Sequence, residues 1–238
     1  MSRRFVLLSA ARSGTSLIIE TLRTHPQALV HGEIFHEKVE WHVRSEFLAC
    51  NDVAKRDVDP IGFARDILAQ DFGHDAVGFK MWREQNETVC DYLLRDPTVV
   101  KIILKRENRL AHFSSCVLAQ VTDVWNVRSN DRLGRVAPRR LSFSRNGLLN
   151  FIRHHEELHE YYMAKAVGRV VLMEYLEAAR LEFGELFLSL GLAQMELEPQ
   201  TRKLYGDRML DRYDYQYHDL IRRTLSELGK SEWLGERV

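Results

Sequence analysis

Cysteine is scarce in this 238-residue chain: Cys50, Cys90 and Cys116 are the full complement. An odd number without metal-like spacing excludes a disulfide framework and fits free thiols in a reducing compartment. Net charge is absent too, with 34 basic residues against 34 acidic ones. A nucleic-acid binder ordinarily carries a basic excess, so the balance argues against nucleic acid as partner. Long apolar runs are missing as well, and none approaches the roughly 20 residues of a membrane span. Arg3-Arg4 followed by Phe5 to Ala11 has the outline of a secretory signal, but that run is short and ends at Arg12. There is no internal repeat and no low-complexity segment. With 45% hydrophobic and 29% charged residues, the expectation is one cytoplasmic globular domain over residues 1–238 with a sizeable core.

The chain opens on an apolar, strand-like stretch that meets Ser9-Ala10-Ala11-Arg12-Ser13-Gly14-Thr15-Ser16, after which a helical pattern begins at once. Strand, small-residue turn and helix N-terminus together turn several backbone N–H groups toward one anion, so a phosphate or sulfate is the expected ligand. The nucleotide-kinase form of this loop is G-x-x-x-x-G-K-[ST]. With Gly14 as the second glycine, Ser9 stands where the first should be and Thr15 where the lysine should be. Only Ser16 survives, and the cation has moved to Arg12. A loop without that lysine argues against a plain kinase or GTPase.

Near-continuous apolar runs at Phe5–Ala10, Val77–Met81, Val99–Leu104 and Arg169–Met173 read as buried strands. Helical patterns alternate with them at Ser16–Thr24, Pro60–Asp71, Glu87–Arg95, Leu110–Ala119 and Leu148–Val167. The alternation predicts an α/β fold, a P-loop-like parallel sheet flanked by helices. Ligands of such sheets bind at the carboxyl ends of the strands. Two stretches lack the regularity. His36 to Lys55 mixes aromatic, histidine and charged residues. Asn126 to Arg145 sets Arg128, Arg132, Arg135, Arg139, Arg140 and Arg145 against Asp131 alone, either a solvated loop or a basic lid over an anion. The tyrosine- and aspartate-rich stretch from Tyr205 to Tyr217 is either core or a partner surface.

A second anion site is expected after the third predicted strand. Arg106 stands at its carboxyl end, and Ser114 follows eight residues later in the first turns of the next helix. A guanidinium fork with a hydroxyl suits a phosphate monoester, although a strand-end arginine alone is as often an ion-pair partner.

Together the Arg12-Ser13-Gly14-Thr15-Ser16 loop and the Arg106/Ser114 pair resemble the sulfotransferases that use 3'-phosphoadenosine 5'-phosphosulfate. His25-Pro26, His31-Gly32-Glu33-Ile34-Phe35, Val77-Gly78-Phe79-Lys80-Met81 and Val170 to Leu176 resemble the bacterial branch acting on carbohydrates and glycolipids, the nodulation-factor and trehalose sulfotransferases. The resemblance implies that Arg12 and the N–H groups of Ser13, Gly14, Thr15 and Ser16 hold the 5'-phosphosulfate. It implies that Arg106 and Ser114 hold the 3'-phosphate, with a late segment, Thr201-Arg202-Lys203, adding contacts through Arg202 and Lys203. Glu33 is then the candidate base for the acceptor hydroxyl, against the reading of a surface carboxylate. Lys80, a lysine in an apolar run, either neutralises charge on the bridging oxygen or pairs with a structural glutamate. The acceptor is expected to be a small molecule or glycolipid, with His36 or His42 available to line its pocket. No metal is expected, and a homodimer is possible.

His155-Glu156-Glu157-Leu158-His159 matches H-E-x-x-H, the zinc-protease signature. The extended form would have Gly at 162 and His at 165, where this chain has Tyr162 and Lys165. Phe151, His155, Leu158 and Tyr162 also form one stripe of a packing helix. A zinc hydrolase, a divergent P-loop kinase and a silent nucleotide binder are the alternatives to a sulfotransferase.

Overall fold

The computed structural model describes residues 2–125, 140–201 and 206–237. Five parallel strands form one sheet in the order β2-β3-β1-β4-β5: β1 Arg3–Leu8, β2 Ala28–Val30, β3 Ala76–Met81, β4 Val99–Lys105 and β5 Val170–Glu174. The helices are α1 Thr15–Leu22, α2 Val53–Val58, α3 Pro60–Ala69, α4 Glu87–Arg95, α5 Arg109–Thr122, α6 Arg145–Lys165, α7 Tyr175–Ala179, α8 Gly184–Leu190 and α9 His218–Glu227. This is the expected α/β architecture, a parallel sheet covered on both faces.

Side chains alternate across β1, and both sets are apolar because both faces are covered. Phe5 and Leu7 join Ile102, Leu104, Ile18 and Phe187 on the α1 and α8 face. Val6 and Leu8 join Phe79, Ile103, Phe63 and Leu93 on the α3 and α4 face. A third cluster gathers Leu110, Leu148, Met209, Tyr213, Ile221 and Trp233, and it fastens the chain after residue 206 to α5 and α6. The stretch from Tyr205 to Tyr217 therefore contributes core through Met209 and Tyr213, while Tyr215 is exposed.

In the central register Leu8 lies beside Met81 on one side and Ile103 on the other. The carboxyl ends of β1, β3 and β4 thus share one edge. The chain leaves β1 for β2 and β3 on one side, then crosses to β4 and β5 on the other. That reversal makes the edge beside β1 the topological switch point, where open α/β sheets bind ligands.

Element limits differ from the sequence reading in physically simple ways. β1 runs from Arg3 to Leu8 rather than from Phe5 to Ala10, because Ser9 leaves the ladder to donate its hydroxyl to the Leu104 carbonyl at 2.6 Å. β2 has three residues, too few to show a period. α6 starts at Arg145, three residues before the predicted Leu148, where the Ser144 side chain accepts from Gly147 N at 3.0 Å. α5 likewise starts at Arg109, capped by Asn108, and runs on to Thr122.

Asn108 is buried, and its amide works in two directions. Its Oδ1 accepts from Ala111 N at 2.9 Å, and its Nδ2 donates to the carbonyls of Trp233 at 3.1 Å and Gly235 at 2.8 Å. Asn108→Ala removes a helix cap and leaves two carbonyls without their donor. The expected loss is about 2–4 kcal/mol, read as a lower denaturant midpoint with an unchanged slope.

Candidate functional site

The loop between β1 and α1 is held from within. Ser13 Oγ lies 2.6 Å from Ser9 Oγ and donates to the Ala10 carbonyl at 2.7 Å. Arg12 and Gly14 adopt left-handed backbone, with φ of 64° and 109°. For arginine that conformation costs about 1 kcal/mol. At Gly14 a side chain is excluded outright, because a Cβ would come within 2.5 Å of the Tyr175 ring. Gly14 caps α1 without a side-chain hydrogen bond, so the first-turn N–H groups face the carboxyl edge of the sheet, where the helix dipole favours an anion. The Arg12 side chain crosses to α5 and donates from Nε to Ser115 Oγ at 3.2 Å.

Lys80 flanks one side of this loop. It is the penultimate residue of β3 and is buried, as is Glu33. Its Nζ lies 3.0 Å from Glu33 Oε1 and donates to Ser16 Oγ at 3.3 Å, over the Trp82 ring. The glutamate that pairs with Lys80 is therefore the candidate base itself. Glu33 Oε2 accepts from Gln85 Nε2 at 2.8 Å, and Gln85 Oε1 accepts from Trp82 N at 3.2 Å. The turn bearing Glu33 is fixed by Gly32 N and Glu33 N, which donate to the carbonyls of His42 and Trp41. A Cβ on Gly32 would lie 2.0 Å from the Trp41 carbonyl, so only glycine lets the two strands of this turn approach.

The lysine missing from the loop is thus replaced by one from β3. In the kinase form of the loop the hydroxyl at Ser16 would bind magnesium. Here an ammonium stands against it, and a second cation at that point would be repelled.

Arg106 flanks the other side, just beyond β4. It is buried and grips Glu236 through two bonds, Nε to Oε1 at 2.8 Å and Nη2 to Oε2 at 2.5 Å. Its Nη1 donates to the Arg12 carbonyl at 3.0 Å, and its guanidinium lies 4.2 Å from the Tyr175 ring. Burial is the largest influence and opposes its charge, but the bond to Glu236 and that carboxylate's negative charge together outweigh it and raise the pKa. Ser114 is fully buried and bonds elsewhere: it donates to the Ala111 carbonyl and accepts from Arg212 Nη1 at 2.7 Å. Desolvation, reinforced by the charge of Arg106, pulls Arg212 down to about 10. Two buried guanidiniums, a serine hydroxyl and one carboxylate therefore share one buried cluster.

Two ties run between the halves. Tyr162, buried on α6, donates its hydroxyl to the Ser9 carbonyl at 2.9 Å and accepts from Arg83 N at 3.2 Å. His112 is buried in α5, with Nε2 2.8 Å from the Ala11 carbonyl.

The H-E-x-x-H stretch lies on α6 behind the loop. Glu156 pairs with Arg109 at 2.8 Å and Lys105 at 3.3 Å. Burial opposes its charge, yet the Arg109 bond holds its carboxyl below the usual range. His155 places Nδ1 2.8 Å from the Phe151 carbonyl, with its ring 3.9 Å from Phe151 and 4.6 Å from His112. This is a packed stripe, and a metal here would have to displace two cations. Among the described residues no group of three His, Cys, Asp or Glu side chains is placed to hold a metal ion.

The remaining candidates fall in three groups. His42 is buried, with Nδ1 3.2 Å from Asn51 Oδ1, and His36 stacks on Trp41 at 4.2 Å. Arg202, Lys203 and residues 126–139, with Arg128, Arg132, Arg135 and Arg139, lie outside the described residues. From the same basic stretch, Arg140 donates to Tyr215 Oη at 2.7 Å and Arg145 pairs with Glu227 at 2.9 Å. Burial pushes the thiols of Cys90 and Cys116 up to about 12 and 11, which keeps both protonated near neutral pH.

Three residues of the site had no motif to mark them, Gln85, Arg212 and Glu236, while Tyr175 lies in the Val170 to Leu176 stretch without having been given a role. Arg212 and Glu236 lie more than a hundred positions from Arg106 in sequence. Only a charged residue inside an otherwise apolar stretch could have flagged them.

Fold and site define an α/β protein whose first loop sits between a Lys80–Glu33 pair and an Arg106–Glu236 pair at the switch point of a parallel sheet. No protein-family model matches the chain, and no curated protein does. Among solved structures it is similar to a sulfotransferase from Alicyclobacillus acidocaldarius at 19% identity and a TM-score of 0.44, over 98% of this chain and 99% of that one.

The histidine stripe generates a pH dependence. Desolvation pulls His155 from 6.5 down to about 4, and His112 well below its ordinary value. Both are therefore neutral in the folded protein at pH values where the unfolded chain already binds protons. Stability is full above about pH 6.5 and is lost as pH falls toward 4, with His155 alone accounting for on the order of 3 kcal/mol. Thermal melts across that window should show the decline, and His155→Gln should flatten part of it.

Proposed function

We propose that this chain is a cytoplasmic sulfotransferase that carries a sulfuryl group from 3'-phosphoadenosine 5'-phosphosulfate to a hydroxyl of a carbohydrate or glycolipid. The observation that carries the proposal is the position of the loop after β1, bonded at Ser16 to Lys80 and at the Arg12 carbonyl to Arg106. A buried lysine and a buried arginine on opposite flanks of one phosphate-type loop suit a nucleotide with phosphate groups at both its 5' and 3' positions.

The donor set fits such a ligand. Arg106 already holds a carboxylate in the two-point geometry by which guanidinium groups take phosphate oxygens. Ser114 and Arg212 add a hydroxyl and a second buried cation beside it. When bound, the nucleotide would supply the sulfuryl group and a phosphate leaving group. Arg12 and the N–H groups from Ser13 to Ser16 would hold its 5' end, and Arg106, Ser114 and Arg212 its 3'-phosphate.

On the acceptor side Glu33 is the group that can take a hydroxyl proton. One of its oxygens is fixed by Lys80 and the other by Gln85, so the carboxylate is held in one orientation beside the α1 N-terminus. Lys80 bridges Glu33 and Ser16, and its charge lies where negative charge would build up on the oxygens above the loop. The Trp82 ring lies 5.5 Å from Lys80 Nζ at the same corner.

Nucleotide specificity tests the reading. Calorimetric titration should give tight binding of 3'-phosphoadenosine 5'-phosphate, with adenosine 5'-phosphate and magnesium–ADP at least tenfold weaker. Arg106→Ala should erase that preference. Preference for magnesium–ADP would return the kinase alternative.

The assignment of Glu33 has its own test. With the donor and a panel of sugar acceptors, Glu33→Gln should lower kcat by about 10²–10⁴-fold. Nucleotide affinity should stay within about twofold of the parent protein. Turnover that survives the substitution removes Glu33 from the role of base.

A further inference from the structure

We infer that Glu236 is a built-in occupant of the phosphate pocket, so that nucleotide entry and the seating of residues 235–237 are mutually exclusive. The inference rests on the proposed assignment of Arg106 to the 3'-phosphate and adds a competitor for it.

Both Glu236 oxygens engage Arg106, and the pair is almost fully enclosed, with the two side chains 6% and 1% exposed. A guanidinium offers the same pair of N–H bonds to a carboxylate and to a phosphate, so the two anions compete for one face. Arg106 has its third contact on the Arg12 carbonyl, which fixes the fork against the loop and leaves the Glu236 face as the one an incoming anion would take. A phosphate carries more charge than a carboxylate and would also meet Arg212 and Ser114, which lie beside the pair.

The segment that carries Glu236 is suited to release. Trp233 anchors it in the third core cluster. Leu234 packs beside it, and from Gly235 onward the fastenings are polar: Asn108 Nδ2 on the Gly235 carbonyl, the Arg208–Gly235 bridge, and Glu236 N donating to the Asp207 carbonyl at 3.0 Å. The strand-like pairing can open while Trp233 stays in place. The pocket is thereby filled by the chain's own anion whenever the nucleotide is away, and the buried guanidiniums are never left without a counter-charge.

Hydrogen exchange on the unaltered protein is the primary test, since Glu236→Gln leaves a buried cation uncompensated and can fail to fold. Saturating 3'-phosphoadenosine 5'-phosphate should accelerate exchange of the Glu236 amide and its neighbours at least tenfold, and adenosine 5'-phosphate should leave it unchanged. Where Glu236→Gln folds, it should bind the 3'-phosphorylated nucleotide about tenfold more tightly than the parent and adenosine 5'-phosphate equally. Continued protection of that amide, with the 3'-phosphate preference and its loss in Arg106→Ala intact, overturns the competition and leaves the proposed function standing. Absence of any preference for the 3'-phosphate overturns both.

Discussion

A guanidinium buried in protein demands an anion and a full set of acceptors, and the fold around Arg106 is arranged to meet that demand. Its three contacts come from segments that are remote in sequence: the Arg12 carbonyl of the first loop, Glu236 near the end of the described chain, and the Tyr175 ring just past β5. Tyr175 in turn lies so close to Gly14 that no side chain fits there. One charge therefore fixes where the first loop, the end of β5 and the final segment meet. The strained backbone of Arg12 persists because these contacts over-determine it.

The opposite flank obeys the same electrostatics with different groups. An ammonium inside an apolar strand is costly unless paired, and Lys80 is paired twice, with Glu33 and with Ser16. Because β3 lies directly beside β1, a lysine at the penultimate position of β3 reaches the helix that follows β1. Sheet register thus supplies from a neighbouring strand the cation that the loop sequence omits. Apart from Arg12 the loop keeps small residues, and the other charges around it come from outside.

Much of this was legible in the amino-acid sequence, and the remainder was hidden for identifiable reasons. The apolar runs of β1, β3 and β4 declared themselves because strands buried on both faces lose the polar alternation that surface strands keep, and β5 did so because Leu172 keeps its run apolar although that residue is exposed. β2 did not, since three residues carry no period. Glu33 could be named only through the family resemblance, whereas Arg12, Lys80, Arg106 and Ser114 could be named from local context, each being a polar group beside an apolar run, a small-residue turn or a helix start. Their partners could not. Gln85 sits in an ordinary polar turn, while Arg212 and Glu236 lie in a stretch whose aromatic and charged residues follow no simple pattern. H-E-x-x-H shows the converse: its spacing is set by one turn of helix, and the same spacing serves a packed stripe whose acid answers Arg109 and Lys105.

Tyr162 carries a consequence for how the Lys80 flank and the first loop are held together. Its hydroxyl accepts from the turn that holds Gln85 and donates to the residue that opens the first loop, so a single rigid ring on α6 is a strut between them. Removing that one hydroxyl would free both segments at once, because each of the two bonds ends on it.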